Sequence, residues 1–283
     1  MRIDMHSHSN ASDGTDPPAE VMRRARAAGL DVIALTDHDT LAGLDAARLA
    51  LPPGLALVPG MELSCRLDGH SLHLLAYHVD PAHTGLAAQR QAISTDRLRR
   101  GREMVARLRE LGVDVTWEQV AAIAGDGVVG RPHIARAMVD AGAIASPDQA
   151  FTPDWIGPGG RAYVSRYALD PEEAIRLVTS AGGVSVLAHP GAAQRGWLIG
   201  DEAVERLAQA GLGGLEVAHP DHDVATRRRL AALAAALGLV SSGGSDDHGR
   251  LTGHRLGCET IAPAEYERLM SLAAGAVGAG EQN

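Results

Sequence analysis

Lysine is absent from this chain of 283 residues, and arginine supplies all 26 basic side chains. Catalysis through a lysine Schiff base and phosphate binding by a P-loop lysine are therefore excluded. Cysteine is also scarce, because Cys65 and Cys258 are the only two. So few cysteines argue against a disulfide framework and favour the reduced cytoplasm as the location of the protein.

Aromatic residues make up only 3% of the chain, too few for a surface that stacks several bases. No apolar run approaches the ~18 residues of a membrane span, and no signal-peptide core precedes the first histidines, so neither segment is expected. The net charge of −9 argues against a broad nucleic-acid interface. This charge does not exclude binding of the end of a nucleic-acid strand at a metal site, because metal ions supply local positive charge.

Short apolar runs alternate with amphipathic segments in the first and last thirds of the chain, a pattern typical of parallel strands covered by helices. Strands are predicted at residues 2–6, 32–36, 55–58, 71–79, 184–188, 214–218 and 239–242. The middle of the chain differs, since it holds a long arginine-rich helix, broken helical segments and a loop rich in Gly and Pro. We predict an α/β domain formed by residues 1–92 and 170–283, with residues 93–169 as a helical insertion that contributes to substrate specificity.

The residues that carry the chemistry stand at or just beyond these apolar runs. His6 and His8 follow the first run, and because strand side chains alternate between faces, both imidazoles point the same way. Further candidate ligands follow along the chain: Asp13, His38, Glu62, His73, His189, Asp246 and His248. Imidazole and carboxylate groups are the ligands of Zn, Mn and Fe(II), so the pattern predicts a multi-metal site built from many strand ends.

Taken singly, several of these residues also have structural interpretations. His38 could belong to a turn that caps the following helix, Glu62 could be a solvated strand-end residue, and His73 could be a hydrogen-bonded core histidine. His189 could simply end a strand, and Asp246 could cap a loop. The metal interpretation depends on the whole set being present in one chain.

The motifs His6-Ser7-His8, Ser12-Asp13-Gly14, Thr36-Asp37-His38-Asp39, Ala188-His189-Pro190 and Ser245-Asp246-Asp247-His248, with Glu62 and His73, closely resemble the polymerase and histidinol phosphatase (PHP) superfamily. The segment Gly130-Arg131-Pro132-His133-Ile134-Ala135 is similar to a motif of one branch, the freestanding phosphoesterases that include 3′,5′-nucleoside bisphosphate phosphatases and RNase AM. The resemblance covers nearly the whole chain and implies a distorted (β/α)7 barrel of the α/β class.

The resemblance also implies about three divalent ions per chain, with Mn, Fe and Zn all compatible with the ligand types. The first ion would be held by His6, His8, Glu62 and Asp246, the second by Glu62, His73 and His189, and the third by Asp13, His38 and His248. The implied activity is phosphoester hydrolysis by a metal-bridging hydroxide, with Asp13, His38 and Glu62 in the catalytic centre.

The general acid and the substrate contacts are open at this stage. His219 and His222 are candidates for the acid, and a polar loop at a strand end is the alternative for both. Arg131, with His133 beside it, is the best candidate for binding a second, non-reacting phosphate, because arginine forms bidentate bonds with phosphate. His219 and Arg195 are further candidates for substrate binding, although Arg195 could be a solvated loop residue.

The expected substrates are small nucleotides, namely 3′,5′-nucleoside bisphosphates, and short 5′-phosphorylated single-stranded RNA or DNA. A histidinol phosphatase from another branch of the superfamily is an alternative, against which the Gly-Arg-Pro-His segment argues. A non-catalytic metal-binding module is a second alternative, but such modules usually lose ligands and here each position is filled. An amidohydrolase would ordinarily use a carboxylated lysine or a different ligand order.

Overall fold

The structure is a computed structural model that describes residues 1–125, 129–192 and 198–280. It separates the chain into two compact units, one formed by Met1–Ala88 with Ala168–Asn283 and the other by Gln89–Tyr167. Among the described residues, no helix combines the length and the apolar character needed to cross a membrane.

In the part of the chain that the structure describes, the first unit is built on one sheet of seven strands that are neighbours in chain order. The strands are β1 (Ile3–Asp4), β2 (Val32–Leu35), β3 (Ala56–Leu67), β4 (His70–Tyr77), β5 (Val184–Leu187), β6 (Gly214–Ala218) and β7 (Val240–Gly243). Backbone bonds join the two edges, because the Met5 N–H donates to the Gly243 carbonyl over 3.2 Å and the Asp246 N–H donates to the His6 carbonyl over 2.9 Å. The predicted distorted (β/α)7 barrel is confirmed.

The distortion lies in β3 and β4, which pair antiparallel, as do β4 and β5. Asp68 and Gly69 join β3 to β4, and both have positive φ, 48° and 83°. Two residues with positive φ form the tight turn that suits the twist of a hairpin, and Asp-Gly is a typical pair for it. The expectation of parallel strands throughout is therefore wrong at β4. Because β3 and β4 form this antiparallel hairpin, Glu62 and His73 lie inside long strands and not at strand ends.

Helices cover the outside of this sheet: α1 (Pro18–Ala27), α2 (Leu44–Leu49), α6 (Pro171–Ser180), α7 (Asp201–Gln209), α8 (Val224–Ala236) and α9 (Pro263–Gly280), while α3 (Thr84–Glu110) follows β4. Buried apolar side chains on the strands, such as Leu63, Leu74 and Leu187, pack with Ile175 and Val178 of α6. This packing fixes the strands and leaves the residues after them free to form a polar site.

The second unit contains most of α3 together with α4 (Trp117–Ala124) and α5 (Arg131–Asp140). It has its own apolar core, which includes Met104 and Leu108 of α3, Val120 of α4, and Ile134 and Met138 of α5. Its boundaries, Gln89–Tyr167, lie near the 93–169 predicted for the insertion. The role of this unit in substrate specificity stays a prediction.

Candidate metal centre

The structure brings all nine predicted ligand residues into one cluster on the first unit. His6 and His8 follow β1, His38 follows β2, His189 follows β5, and Asp246 and His248 follow β7, while Glu62 and His73 come from β3 and β4 and Asp13 from the loop after His8. His6, His8, Glu62 and Asp246 are at most 3% exposed.

Glu62 is the centre of the cluster because each of its oxygens faces several imidazoles. Its Oε2 lies 3.1 Å from the Nε2 atoms of both His6 and His8. Its Oε1 lies 2.7 Å from His73 Nδ1 and 3.0 Å from His189 Nε2. A carboxylate placed in this way can bridge two neighbouring cations.

Among the described residues, ligand atoms that lie within 4.8 Å of one another form three overlapping groups: His6, His8, Glu62 and Asp246; His38, Glu62 and His73; and His8, Asp13, His38 and His248. The first group has the composition predicted for the first ion. The second contains His38 where the prediction has His189, and the third contains His8 in addition to the predicted three. These overlaps show that single side chains face two positions.

The chemistry of the donor set fits divalent cations. The Nε2 atoms of His6 and His8 approach each other to 3.1 Å, with two carboxylate oxygens close by. In the described part of the molecule, the buried Nδ1 atoms of His8 and His38 have no hydrogen-bond partner. Buried imidazole nitrogens without partners are costly, and coordination of a cation would satisfy them.

The protein environment shifts the pKa values of these groups strongly. Burial raises the pKa of Glu62 and Asp246, but the surrounding histidine charges outweigh burial and hold both values well below normal. Burial also opposes protonation of His8, yet hydrogen bonds with Asp246 and Glu62 raise its pKa to about 10. His38 behaves differently, since burial is its largest influence and lowers its pKa to about 4. The ligand carboxylates are thus anionic at neutral pH.

Three non-glycine residues at the cluster have left-handed backbones: Asp39, His189 and Asp246, with φ values of 57°, 32° and 49°. Such a conformation costs roughly 1–2 kcal/mol for residues other than glycine. Asp39 is held by the N–H and hydroxyl groups of Ser64, which both donate to its carboxylate. The fold therefore maintains strained backbone where the ligands are presented, a common property of functional sites.

Glu216 is a site residue that the sequence analysis did not single out. It lies on β6, is fully buried, and contacts two of the predicted ligands. Burial raises its pKa, but the charge of His6 and the hydrogen bond with it outweigh burial and lower the pKa to about 2. The available signal was a glutamate inside a short apolar strand, because a charge buried there requires partners.

His219 and His222 lie beside the cluster, but both ring nitrogens of each are occupied by the protein. The Asp221 N–H donates to His219 Nδ1 over 3.0 Å, which leaves the proton on Nε2, 3.3 Å from an Asp246 oxygen. The Gly191 N–H donates to His222 Nε2, and His222 Nδ1 donates to the Val217 carbonyl. Proton donation by His222 and substrate binding by His219 would each require one of these hydrogen bonds to break, and both roles stay predictions.

The remaining predicted substrate residues lie elsewhere in the chain. Arg131 and His133 belong to the second unit, at the start of α5, where His133 Nδ1 accepts the Gly130 N–H over 2.9 Å. The Arg131 guanidinium lies over the Phe151 ring, 5.5 Å from its centroid. Arg195 lies outside the described residues.

A closed sheet with a buried cluster of imidazoles and carboxylates is the kind of site that metal-dependent hydrolases use. The model of the PHP domain matches residues 4–113. A 3′,5′-nucleoside bisphosphate phosphatase of Chromobacterium violaceum is 35% identical over 89% of this chain and 90% of that protein. A 5′-3′ exoribonuclease of Haemophilus influenzae is 34% identical over 87% of this chain and 90% of that protein. The chain belongs to the PHP family.

Solved structures agree with this assignment. A Bifidobacterium adolescentis protein, assigned as a metal-dependent phosphoesterase, superposes with a TM-score of 0.88 at 35% identity, covering 95% of this chain and 96% of its own. An amidohydrolase of C. violaceum with bound sulfate superposes with a TM-score of 0.81 at 32% identity, and the match covers 96% of this chain and 97% of that protein. The predicted family and the predicted reaction class, hydrolysis of phosphoric esters, are confirmed.

Proposed function

We propose that this protein is a phosphatase or short-range exonuclease that hydrolyses phosphate esters of nucleotides with the help of about three divalent ions, Mn, Fe or Zn. The observation that carries the proposal is Glu62, whose two oxygens face separate sets of imidazoles within 3.1 Å. The names of the relatives from C. violaceum and H. influenzae support nucleotide or RNA substrates. The sequence holds only two cysteines, Cys65 and Cys258, which supports a location in the reducing cytoplasm.

In this proposal the nine predicted ligands hold the ions. His6, His8, Glu62 and Asp246 hold the first, Glu62 with His73 and His189 the second, and Asp13 with His38 and His248 the third. When bound, the ions would supply positive charge to the reacting phosphate and lower the pKa of the attacking water. The chain contributes the geometry, because every ligand except Asp13, which lies in the loop after His8, stands on a strand or within a few residues of a strand end, and most are buried.

Asp13 and His38, the proposed catalytic residues, are together with His248 the most exposed of the nine predicted ligands. The side chain of Asp13 is 34% exposed and that of His38 is 15% exposed. Asp13 oxygens lie 3.3 Å from His248 Nε2 and 3.6 Å from His38 Nε2. Since an entering phosphate approaches from solvent, the position held by Asp13, His38 and His248 is the one that the substrate meets first.

The second unit supplies a candidate for binding a further phosphate. Within the described residues, the guanidinium groups of Arg100 and Arg131 have no carboxylate partner, and the buried Nε of Arg100 makes no hydrogen bond. Burial and then the charge of Arg131 lower the pKa of Arg100 to about 10. Like charges in a half-buried setting favour an anion, and guanidinium groups match phosphate oxygens well.

Arg131→Ala tests the second phosphate. Loss of one charge-assisted contact of about 1.5–3 kcal/mol should raise the KM for a 3′,5′-bisphosphate about 10–100-fold with little change in kcat. Arg136→Ala is the matched control, since Arg136 is exposed on the same helix. An equal rise in KM for nucleoside monophosphates, or a rise with Arg136→Ala, would argue against a contact with a second phosphate.

The test of the proposed function is phosphate release by protein loaded with Mn²⁺. The panel comprises 3′,5′-nucleoside bisphosphates, 5′-monophosphates, short 5′-phosphorylated RNA and DNA, and histidinol phosphate. A ribose cyclic phosphate belongs in it as well, because a phosphoribosyl 1,2-cyclic phosphate diesterase of Eggerthella lenta is 33% identical over 88% of this chain. Bisphosphates or RNA should be preferred, with activity lost on chelation. Preference for histidinol phosphate, or no turnover of any ester with metal bound, would overturn the proposal.

A further inference from the structure

We propose that Glu216 is a positioning residue whose single carboxylate sets the orientation of ligands to two different ions, the imidazole of His6 and the backbone of His189. The proposal rests on the proposed function, because it assigns a role toward the metal ions. Glu216 has no place among the nine ligands, yet it is fully buried and lies on β6, the strand next to β5, which ends two residues before His189.

The first contact determines which nitrogen of His6 faces the cations. Glu216 Oε1 lies 3.0 Å from His6 Nδ1, and a carboxylate can only accept, so His6 carries a proton on Nδ1. The Nε2 atom of His6 then faces Glu62 Oε2 at 3.1 Å and Asp246 Oδ1 at 3.3 Å, so it is the nitrogen that would bind a cation. Carboxylates that hold a ligating histidine in one tautomer raise its basicity and fix the plane of its ring.

The second contact holds the backbone from which His189 projects. Glu216 Oε2 accepts the His189 N–H over 2.7 Å. His189 has a φ of 32°, a conformation unfavourable for any residue with a side chain. The bond to Glu216 stabilises this backbone and so directs the imidazole toward Glu62, where Nε2 lies 3.0 Å from Oε1.

The need for a carboxylate follows from the two donors. Both His6 Nδ1–H and the His189 N–H require an acceptor, and the two oxygens of Glu216 serve one each. A glutamine at this position has one oxygen and one NH₂ group, so one donor always faces another donor. If the NH₂ group faced His6, the imidazole would move its proton to Nε2 and lose the lone pair that a metal ion needs.

Glu216→Gln, measured beside Glu265→Gln, tests the proposal. Glu265 also accepts a backbone N–H, that of Ser241 over 2.9 Å, but contacts none of the predicted ligands. The dissociation constants and the stoichiometry of Mn²⁺ are measured by titration calorimetry and elemental analysis, together with the Tm of the metal-free proteins. We expect about 10–100-fold weaker Mn²⁺ binding in Glu216→Gln and unchanged binding in Glu265→Gln.

A second measurement needs no variant and covers the case in which Glu216→Gln does not fold. In ¹⁵N-histidine-labelled wild-type protein loaded with Zn²⁺, NMR should show His6 protonated on Nδ1 and bound through Nε2. Coordination through Nδ1, or Mn²⁺ binding in folded Glu216→Gln equal to that of the wild type, would overturn the role of Glu216. Wild-type protein that binds no metal would instead overturn the proposed function itself.

Discussion

Replacement of Glu62 by glutamine tests the centre of the site most directly. One Glu62 oxygen faces His6 and His8, and the other faces His73 and His189. An amide keeps only one oxygen, so one of the two positions loses its bridging donor whichever way the side chain turns. The substitution also removes one negative charge from a site with three predicted ligand carboxylates, those of Asp13, Glu62 and Asp246.

The size of the effect follows from the short distances within the cluster. Ligand atoms of each group lie within 4.8 Å of one another, so a bound cation would stand a few Å from the lost charge. Unit charges about 4 Å apart interact by about 4 kcal/mol at an effective dielectric constant of about 20. Because 1.4 kcal/mol corresponds to a factor of ten, Mn²⁺ should bind at least about 100-fold more weakly.

Thermal unfolding with and without Mn²⁺ measures this loss. At a Mn²⁺ concentration of about 100 times the wild-type Kd, binding stabilises the wild type by about 2.7 kcal/mol, or roughly 5–10 °C in Tm. With Kd raised 100-fold, the same concentration stabilises Glu62→Gln by only about 0.4 kcal/mol, or roughly 1 °C. The Glu265→Gln control should keep the wild-type shift. A full Mn²⁺-induced shift in Glu62→Gln would refute the bridging role of this carboxylate.

Two further predictions concern the exposed side of the site and its protonation. Asp13→Ala should abolish turnover without lowering the Tm of the metal-free protein, because Asp13 is partly exposed, and near-normal kcat would contradict its catalytic role. Hydrogen bonds with Asp246 and Glu62 overcome the effect of burial and raise the pKa of His8 to about 10. His8 must therefore lose a proton before it binds an ion. Mn²⁺ binding should accordingly release protons and weaken as the pH falls. Calorimetry in two buffers of different ionisation enthalpy measures this release, and pH-independent binding without proton release would contradict it.

Much of the barrel could be read from local patterns. The β6 strand, Gly214–Ala218, has the predicted boundaries, and β5 ends one residue before the predicted residue 188. These strands are short, apolar and bounded by glycine or polar residues, which makes them recognisable without any knowledge of their neighbours. The His-x-His pair was also informative: although β1 ends at Asp4, before both histidines, their Nε2 atoms lie on the same side, 3.1 Å apart.

The hairpin of β3 and β4 was not predicted from local sequence patterns. The segment after Val58 continues through Pro59 and Gly60, which usually end a strand, yet β3 extends to Leu67. The Pro59 carbonyl accepts the His78 N–H, and Gly60 pairs with Tyr77, so tertiary pairing overrides the local signals. The Asp68-Gly69 turn was the missed local indication of a hairpin.

The site, like the fold, was predictable only in part from the sequence. The ligand types and their order in the chain were visible in the sequence, because coordination chemistry restricts which side chains are useful. The sequence did not show that one ligand can face two neighbouring metal positions, because this depends on the close approach of His8 and His38 to several carboxylates. The enclosure of His222 by backbone groups of Gly191 and Val217 was equally invisible.

The amino-acid sequence by itself determined the α/β class, the family and the kinds of side chains available for metal binding, because these depend on composition, periodicity and motif order. Only the tertiary structure decided which atoms face each other: that β4 runs antiparallel to its neighbours, that Glu62 stands between two sets of imidazoles, and that Glu216 holds His6 and His189. The physical reason is that hydrogen bonds and coordination act over about 3 Å. Residues separated by tens or hundreds of positions in the chain reach that distance only when the sheet closes.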